Sequence, residues 1–120
     1  MARIIIVDDS AVMRRTLSLI LKEGGHEIVA EAPNGMQAFN QYENHHPDLI
    51  TMDITMPLSD GLESTEKIIA KYPQAKIIMI SALNQKNKVF EALKLGAKHY
   101  ILKPFTPEIV LATVHSVLKS

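Results

Sequence analysis

The chain contains no cysteine and no tryptophan among its 120 residues. Lack of cysteine removes disulfide scaffolds, thiolate metal sites and cysteine nucleophiles together, and the expected setting is a reducing cytoplasm. Charge of one sign is also missing: lysine plus arginine and aspartate plus glutamate each total 13. With no positive excess to attract phosphodiesters or anionic lipid, neither nucleic acid nor a membrane is an expected direct partner. Long apolar runs are absent too. The opening run, Ile4 to Val7, is cut off by Asp8 and Asp9, far too early for a signal peptide or a membrane span.

What is present fits one domain over residues 1–120, long enough for a single core and too short for two. Five short apolar runs recur: Ile4 to Val7, Ile28 to Ala30, Leu49 to Met52, Ile77 to Ile80 and Tyr100 to Leu102. They are continuous rather than alternating, which is the pattern of strands covered on both faces. Between them the apolar residues take helical spacing, as in Met13, Leu17, Ile20 and Leu21, in Ala38, Phe39 and Tyr42, and in Leu62, Thr65, Ile68 and Ile69. Gly24-Gly25 and Gly96 are helix stops, Pro33-Asn34-Gly35 is a turn into a helix, and Pro47 precedes a strand. Strand and helix thus alternate along the chain. The expected class is α/β, an open parallel sheet with helices on both faces and its ligand site at the carboxyl ends of the strands.

That edge is where the polar residues fall. The first run ends in Asp8-Asp9, the third in Asp53, the fourth in Ser81 and the fifth in Lys103-Pro104. A single strand-end carboxylate signifies little, because any strand leaving a core must become polar. Three carboxylates in one pocket repel one another, so either their pKa values rise or a cation neutralises them. An all-oxygen set favours a hard divalent ion. Mg²⁺ suits it better than Ca²⁺, since Mg²⁺ takes one or two carboxylates, keeps waters and completes its shell with phosphate oxygen. Lys103 would face Asp53 as a compact positive charge, and the Ser81 hydroxyl could bond a phosphoryl oxygen. The histidines make no comparable site: neighbours such as His45 and His46 would project about 100° apart on a helix.

These residues resemble the receiver domain of two-component response regulators, most closely the single-domain chemotaxis type (CheY-like). The matching segments are Ile5-Ile6-Val7-Asp8-Asp9-Ser10, Met52-Asp53-Ile54-Thr55-Met56-Pro57 with Gly61 after it, Ile80-Ser81-Ala82, Gly96-Ala97 and Lys103-Pro104-Phe105. Each is weak alone, and their order over the whole chain is specific. The resemblance implies a flavodoxin-like (βα)5 three-layer sandwich with strand order 2-1-3-4-5, an order already exemplified by chemotaxis receivers and not derivable from alternation.

Carried over residue by residue, the resemblance implies Asp53 as phosphoacceptor, with Mg²⁺ held by Asp8, Asp9, Asp53 and the backbone carbonyl of Thr55. It implies Ser81 as switch hydroxyl, a small Ala82 beside it, Tyr100 as an aromatic that moves between exposed and buried positions, and Lys103 contacting the phosphoryl group. The Lys103–Pro104 peptide is expected to be cis. The implied donor is a phosphohistidine on a histidine kinase, and no glycine-rich nucleotide loop is present to use ATP directly. The implied output is a protein target met through the fourth helix, fifth strand and fifth helix, where Lys86, Lys88, Lys94, Lys98, His99 and Phe105 cluster; a solvated helix face is the plainer reading of each. The chain is expected to act as a monomer and to catalyse nothing beyond its own phosphorylation and slow dephosphorylation. Leu83 is expected to screen attacking water and lengthen the phosphoryl state. Ile54 and Thr55 stand where many chemotaxis receivers carry an aromatic or asparagine, which leaves partner identity open.

Three other readings fit the residues less well. A haloacid-dehalogenase-type phosphatase wants a second aspartate two residues after the nucleophile, where Thr55 stands. A flavin-binding domain of similar architecture would find its phosphate repelled by Asp8-Asp9. A degenerate receiver acting as a constitutive interaction module is normally marked by loss of the acceptor or acid pair, and both are present here.

Overall fold

The computed structural model describes residues 1–56 and 60–120. Pro57, part of the second matching segment, lies outside the described residues. The elements alternate as β1 (Arg3–Val7), α1 (Ala11–Glu23), β2 (Glu27–Ala32), α2 (Gly35–His45), β3 (Leu49–Asp53), α3 (Gly61–Lys71), β4 (Ile77–Ser81), α4 (Lys86–Leu95), β5 (His99–Leu102) and α5 (Pro107–Lys119), with a 3₁₀ turn at Leu83–Gln85 leading into α4.

Local chemistry explains the helix starts. Side chains of Ser10, Asn34, Asp60 and Thr106 each accept the amide three residues on, satisfying one of the N–H groups that a first turn leaves without a partner. Gly24 closes α1, and Gly96 ends α4 at φ +121°, a conformation that side chains rarely adopt.

All pairs in the sheet are parallel and the order is β2-β1-β3-β4-β5. The expected flavodoxin-like (βα)5 sandwich and its 2-1-3-4-5 order are therefore borne out. Successive strand residues feed opposite layers, because side chains alternate across a strand. Ile5, Val7, Ile50, Met52, Ile77 and Met79 pack with Ala38 and Tyr42 of α2, Ile68 of α3, and Val89 and Ala92 of α4. Ile4, Ile6, Leu49, Ile78, Ile80 and Ile101 pack on the other side with Leu17 and Leu21 of α1 and Val110, Val114 and Val117 of α5. Burial on both faces is why β1, β3 and β4 read as unbroken apolar runs, whereas β2 and β5, at the two sheet edges, are only partly covered, contrary to the expectation for all five runs.

Register then builds the candidate site's edge. Val7 pairs with Met52, Asp53 with Ile80, and Ser81 with Leu102. The residues at or just after these positions, Asp8, Asp53, Ser81 and Lys103, are thereby brought to one side of the sheet.

Candidate functional site

Asp8, Asp9 and Asp53 converge so that one carboxylate oxygen from each lies within 4.8 Å of the other two. Asp8 and Asp53 are buried and Asp9 is exposed, which leaves the cluster open on the Asp9 side. The Asp8 carboxylate is half engaged: Oδ1 accepts the Ser10 amide at 2.9 Å, while buried Oδ2 has no hydrogen-bond partner among the described residues. Lys103 faces the cluster with Nζ 3.3 Å from Asp53 Oδ1 and 3.6 Å from Asp8 Oδ2. Its peptide bond to Pro104 is cis, and its amide donates to the Ser81 carbonyl at 2.8 Å, extending the β4–β5 ladder by one bond.

Burial, and secondly the Asp8 charge, push the Asp53 carboxyl up to about 6; Lys103 opposes the rise without cancelling it. Two buried carboxylates against one lysine leave negative charge in excess. A buried oxygen with no hydrogen bond among the described residues, and a surplus of hard oxygen donors over the one lysine, fit a small divalent cation.

Ser81 is fully buried at the end of β4, and its hydroxyl also has no hydrogen-bond partner among the described residues. Ala82 follows it, half-buried. Thr55 is exposed in the β3–α3 connection, and Tyr100 of β5 is exposed at 37%. Gly61 explains how that connection turns. A Cβ there would lie 2.3 Å from the Asp53 carbonyl oxygen, while the Gly61 amide donates to the Ile54 carbonyl at 2.7 Å. The first turn of α3 is pressed against the backbone of β3, and only glycine fits.

Two residues of this edge escaped sequence reasoning. Arg14 donates from Nη1 to the Asp8 carbonyl at 2.5 Å and from Nε to Glu31 at 3.1 Å, tying the loop after β1 to β2. Gln85 accepts the Ala82 amide at 2.8 Å through Oε1 and donates through Nε2 to the Thr55 hydroxyl. A signal for Gln85 existed in its spacing, three residues after the residue that precedes the helical turn, from which a glutamine reaches back to an amide. It was hidden because Ala82 cannot supply the usual reciprocal hydroxyl.

Along α4, the α4–β5 connection, β5 and α5, the side chains of Lys86, Lys88, Lys94, Lys98 and His99 are exposed, together with Phe90 and Ile109. Phe105 instead packs against the core layer under α1 and α5. Among the described residues no helix is long and apolar enough to cross a membrane.

A parallel α/β sheet with acidic groups and one lysine gathered at its carboxyl edge defines a class of small domains that take a ligand at that edge. Within the class, the family described as the response regulator receiver domain matches residues 4–115, and the chain belongs to it. Similar proteins include the chemotaxis protein CheY of Bacillus subtilis, 48% identical over 97% of both chains, and that of Listeria monocytogenes, 45% identical over 99% of this chain and all of the relative. A crystal structure of the CheX-CheY-BeF3-Mg²⁺ complex from Borrelia burgdorferi contains a chain that is 38% identical, with a TM-score of 0.92 over 96% of this chain and 87% of that one. The resemblance drawn from the motifs is borne out: this is a receiver domain of the two-component response regulator family, with single-domain chemotaxis relatives.

Proposed function

We propose that the chain is one receiver domain over residues 1–120 that accepts a phosphoryl group on Asp53 and changes its affinity for a protein partner. The observation that carries this reading is the meeting of Asp8, Asp9 and Asp53 within 4.8 Å, with Lys103 Nζ 3.3 Å from the Asp53 oxygen. Asp8, Asp9, Asp53 and the Thr55 carbonyl would hold Mg²⁺, whose contribution is to neutralise charge on the phosphoryl oxygens.

Asp53 Oδ attacks the phosphorus of a phosphohistidine on a histidine kinase. The P–N bond breaks as the new P–O bond forms, and the leaving imidazole takes a proton from water. Lys103 orients the carboxylate before transfer and pairs with a phosphoryl oxygen afterwards. The Ser81 hydroxyl, buried without a partner, then gains an acceptor, and the small Ala82 leaves room for the new group. Movement of the loop after Ser81 lets exposed Tyr100 follow inward, biasing a pre-existing equilibrium at the α4–β5–α5 face. Pro104 closes the lysine loop. The protein target docks on that face, and the chain acts as a cytoplasmic monomer, with chemotaxis the setting that its relatives favour. Its chemistry is limited to its own phosphorylation and slow hydrolysis.

The test is intact mass after incubation with Mg²⁺ and acetyl phosphate, beside Asp53→Asn and a metal-free control. One phosphoryl adduct, absent from both controls, is expected. No adduct with any donor would sink the reading and favour a constitutive interaction module.

A further inference from the structure

The Gln85 carboxamide spans two loops. Its Oε1 accepts the Ala82 amide, one residue beyond Ser81, and its Nε2 donates to the Thr55 hydroxyl, two residues beyond Asp53. β3 and β4 are neighbours there, with Asp53 paired to Ile80 and the Ile54 amide donating to the Ile80 carbonyl at 3.2 Å. One side chain therefore bridges the segments flanking the acceptor and the switch hydroxyl, on the solvent side of both. Gln85 also ends the 3₁₀ turn that feeds α4, so a change in its bonds is felt at the start of that helix.

With the bridge in place, the Ala82 amide is already satisfied while the buried Ser81 hydroxyl has no partner among the described residues. The resting loop is thus held by Gln85 in a position that leaves its most buried donor unused. An anion on Asp53 offers better acceptors than a neutral amide oxygen, since hydrogen bonds to charged groups are roughly twice as strong. We infer that Gln85 is a positioning residue, a latch that holds the loop after β4 in its resting place and yields the Ala82 amide when a phosphoryl group arrives on Asp53.

The inference rests on the phosphoacceptor reading and makes its own demand: loss of the latch lowers the cost of reaching the switched state, so the phosphoryl form becomes easier to reach. Each hydrogen bond contributes modestly in a half-exposed setting, so the expected effect is about 3- to 10-fold.

Beryllofluoride is titrated into the full chain at saturating Mg²⁺, with bound fluoride followed by ¹⁹F NMR, for wild type, Gln85→Ala, Thr55→Ala and the double variant. The latch predicts tighter binding in Gln85→Ala, and a smaller effect of that substitution once Thr55 has lost its hydroxyl. A role confined to capping the helical turn would lower Tm in Gln85→Ala and leave beryllofluoride affinity unchanged, overturning the latch. Weaker binding, or strict additivity in the cycle, would overturn it too. If wild type binds no beryllofluoride, the phosphoacceptor reading fails and the latch falls with it; if wild type binds and Gln85→Ala matches it, only the latch falls.

Discussion

Lys103 Nζ lies 3.3 Å from Asp53 Oδ1, although 50 positions separate the two residues along the chain. The contact joins the end of β5 to the end of β3 across β4, and it makes the lysine the main group holding down a carboxyl that burial and Asp8 push up to about 6. Replacing Lys103 with methionine removes that opposition. The Asp53 carboxyl is expected to titrate well above 6 in metal-free Lys103→Met, as read by ¹³C NMR of the side-chain carbonyl, and an unchanged midpoint would refute the pairing.

Asp53 also makes stability depend on pH. Its carboxyl rises from an ordinary 3.8 to about 6 in the folded chain, so between those values the folded state binds more protons than the unfolded one. The Asp53 contribution to stability is therefore full below about 4, is lost as pH rises through about 6, and levels off above. Asp53→Asn lacks the charge, and in metal-free buffer at pH 7 it should be more stable than wild type by about 2 kcal/mol. Urea unfolding at pH 4 and pH 7 reads this directly, and the gap should narrow when Mg²⁺ is added to wild type. A variant less stable than wild type at pH 7 would contradict the account.

The Ser81 hydroxyl supplies a separation of stability from switching. Because it is buried with no hydrogen bond among the described residues, removing it takes away none of their hydrogen bonds. Ser81→Ala should unfold within about 0.5 kcal/mol of wild type, yet bind beryllofluoride and Mg²⁺ more weakly. A large loss of stability would mean that the hydroxyl is already engaged at rest.

Gly61 is tested by the smallest possible addition. A Cβ placed 2.3 Å from the Asp53 carbonyl forces apart the end of β3 and the start of α3. Gly61→Ala should cost about 2 kcal/mol or more in urea unfolding and weaken Mg²⁺ binding, whereas wild-type values for both would show that the junction relaxes freely.

Leu83 is 64% exposed at the start of the 3₁₀ turn after β4. Its proposed role as a screen against attacking water predicts faster loss of the phosphoryl group in Leu83→Ala, measured by the decay of the intact-mass adduct. Decay at the wild-type rate would remove Leu83 from the account of hydrolysis.

The sequence alone determined the class, the element order and the identity of the acidic site. Continuous apolar runs and glycine stops are local signals, and a strand that runs from a buried interior to a polar terminus marks its own end; Asp8, Asp9, Asp53, Ser81 and Lys103 were all legible for that reason. Strand order was legible only through resemblance, because alternation constrains which elements occur and not which lie side by side. Tertiary structure alone decided the rest. The Asp8 and Ser81 oxygens left without a hydrogen bond among the described residues, the upward push on Asp53, and the bridges made by Arg14 and Gln85 depend on distances between segments remote in sequence. Such distances come from the register of a packed sheet, and side-chain spacing along a single element carries no record of them.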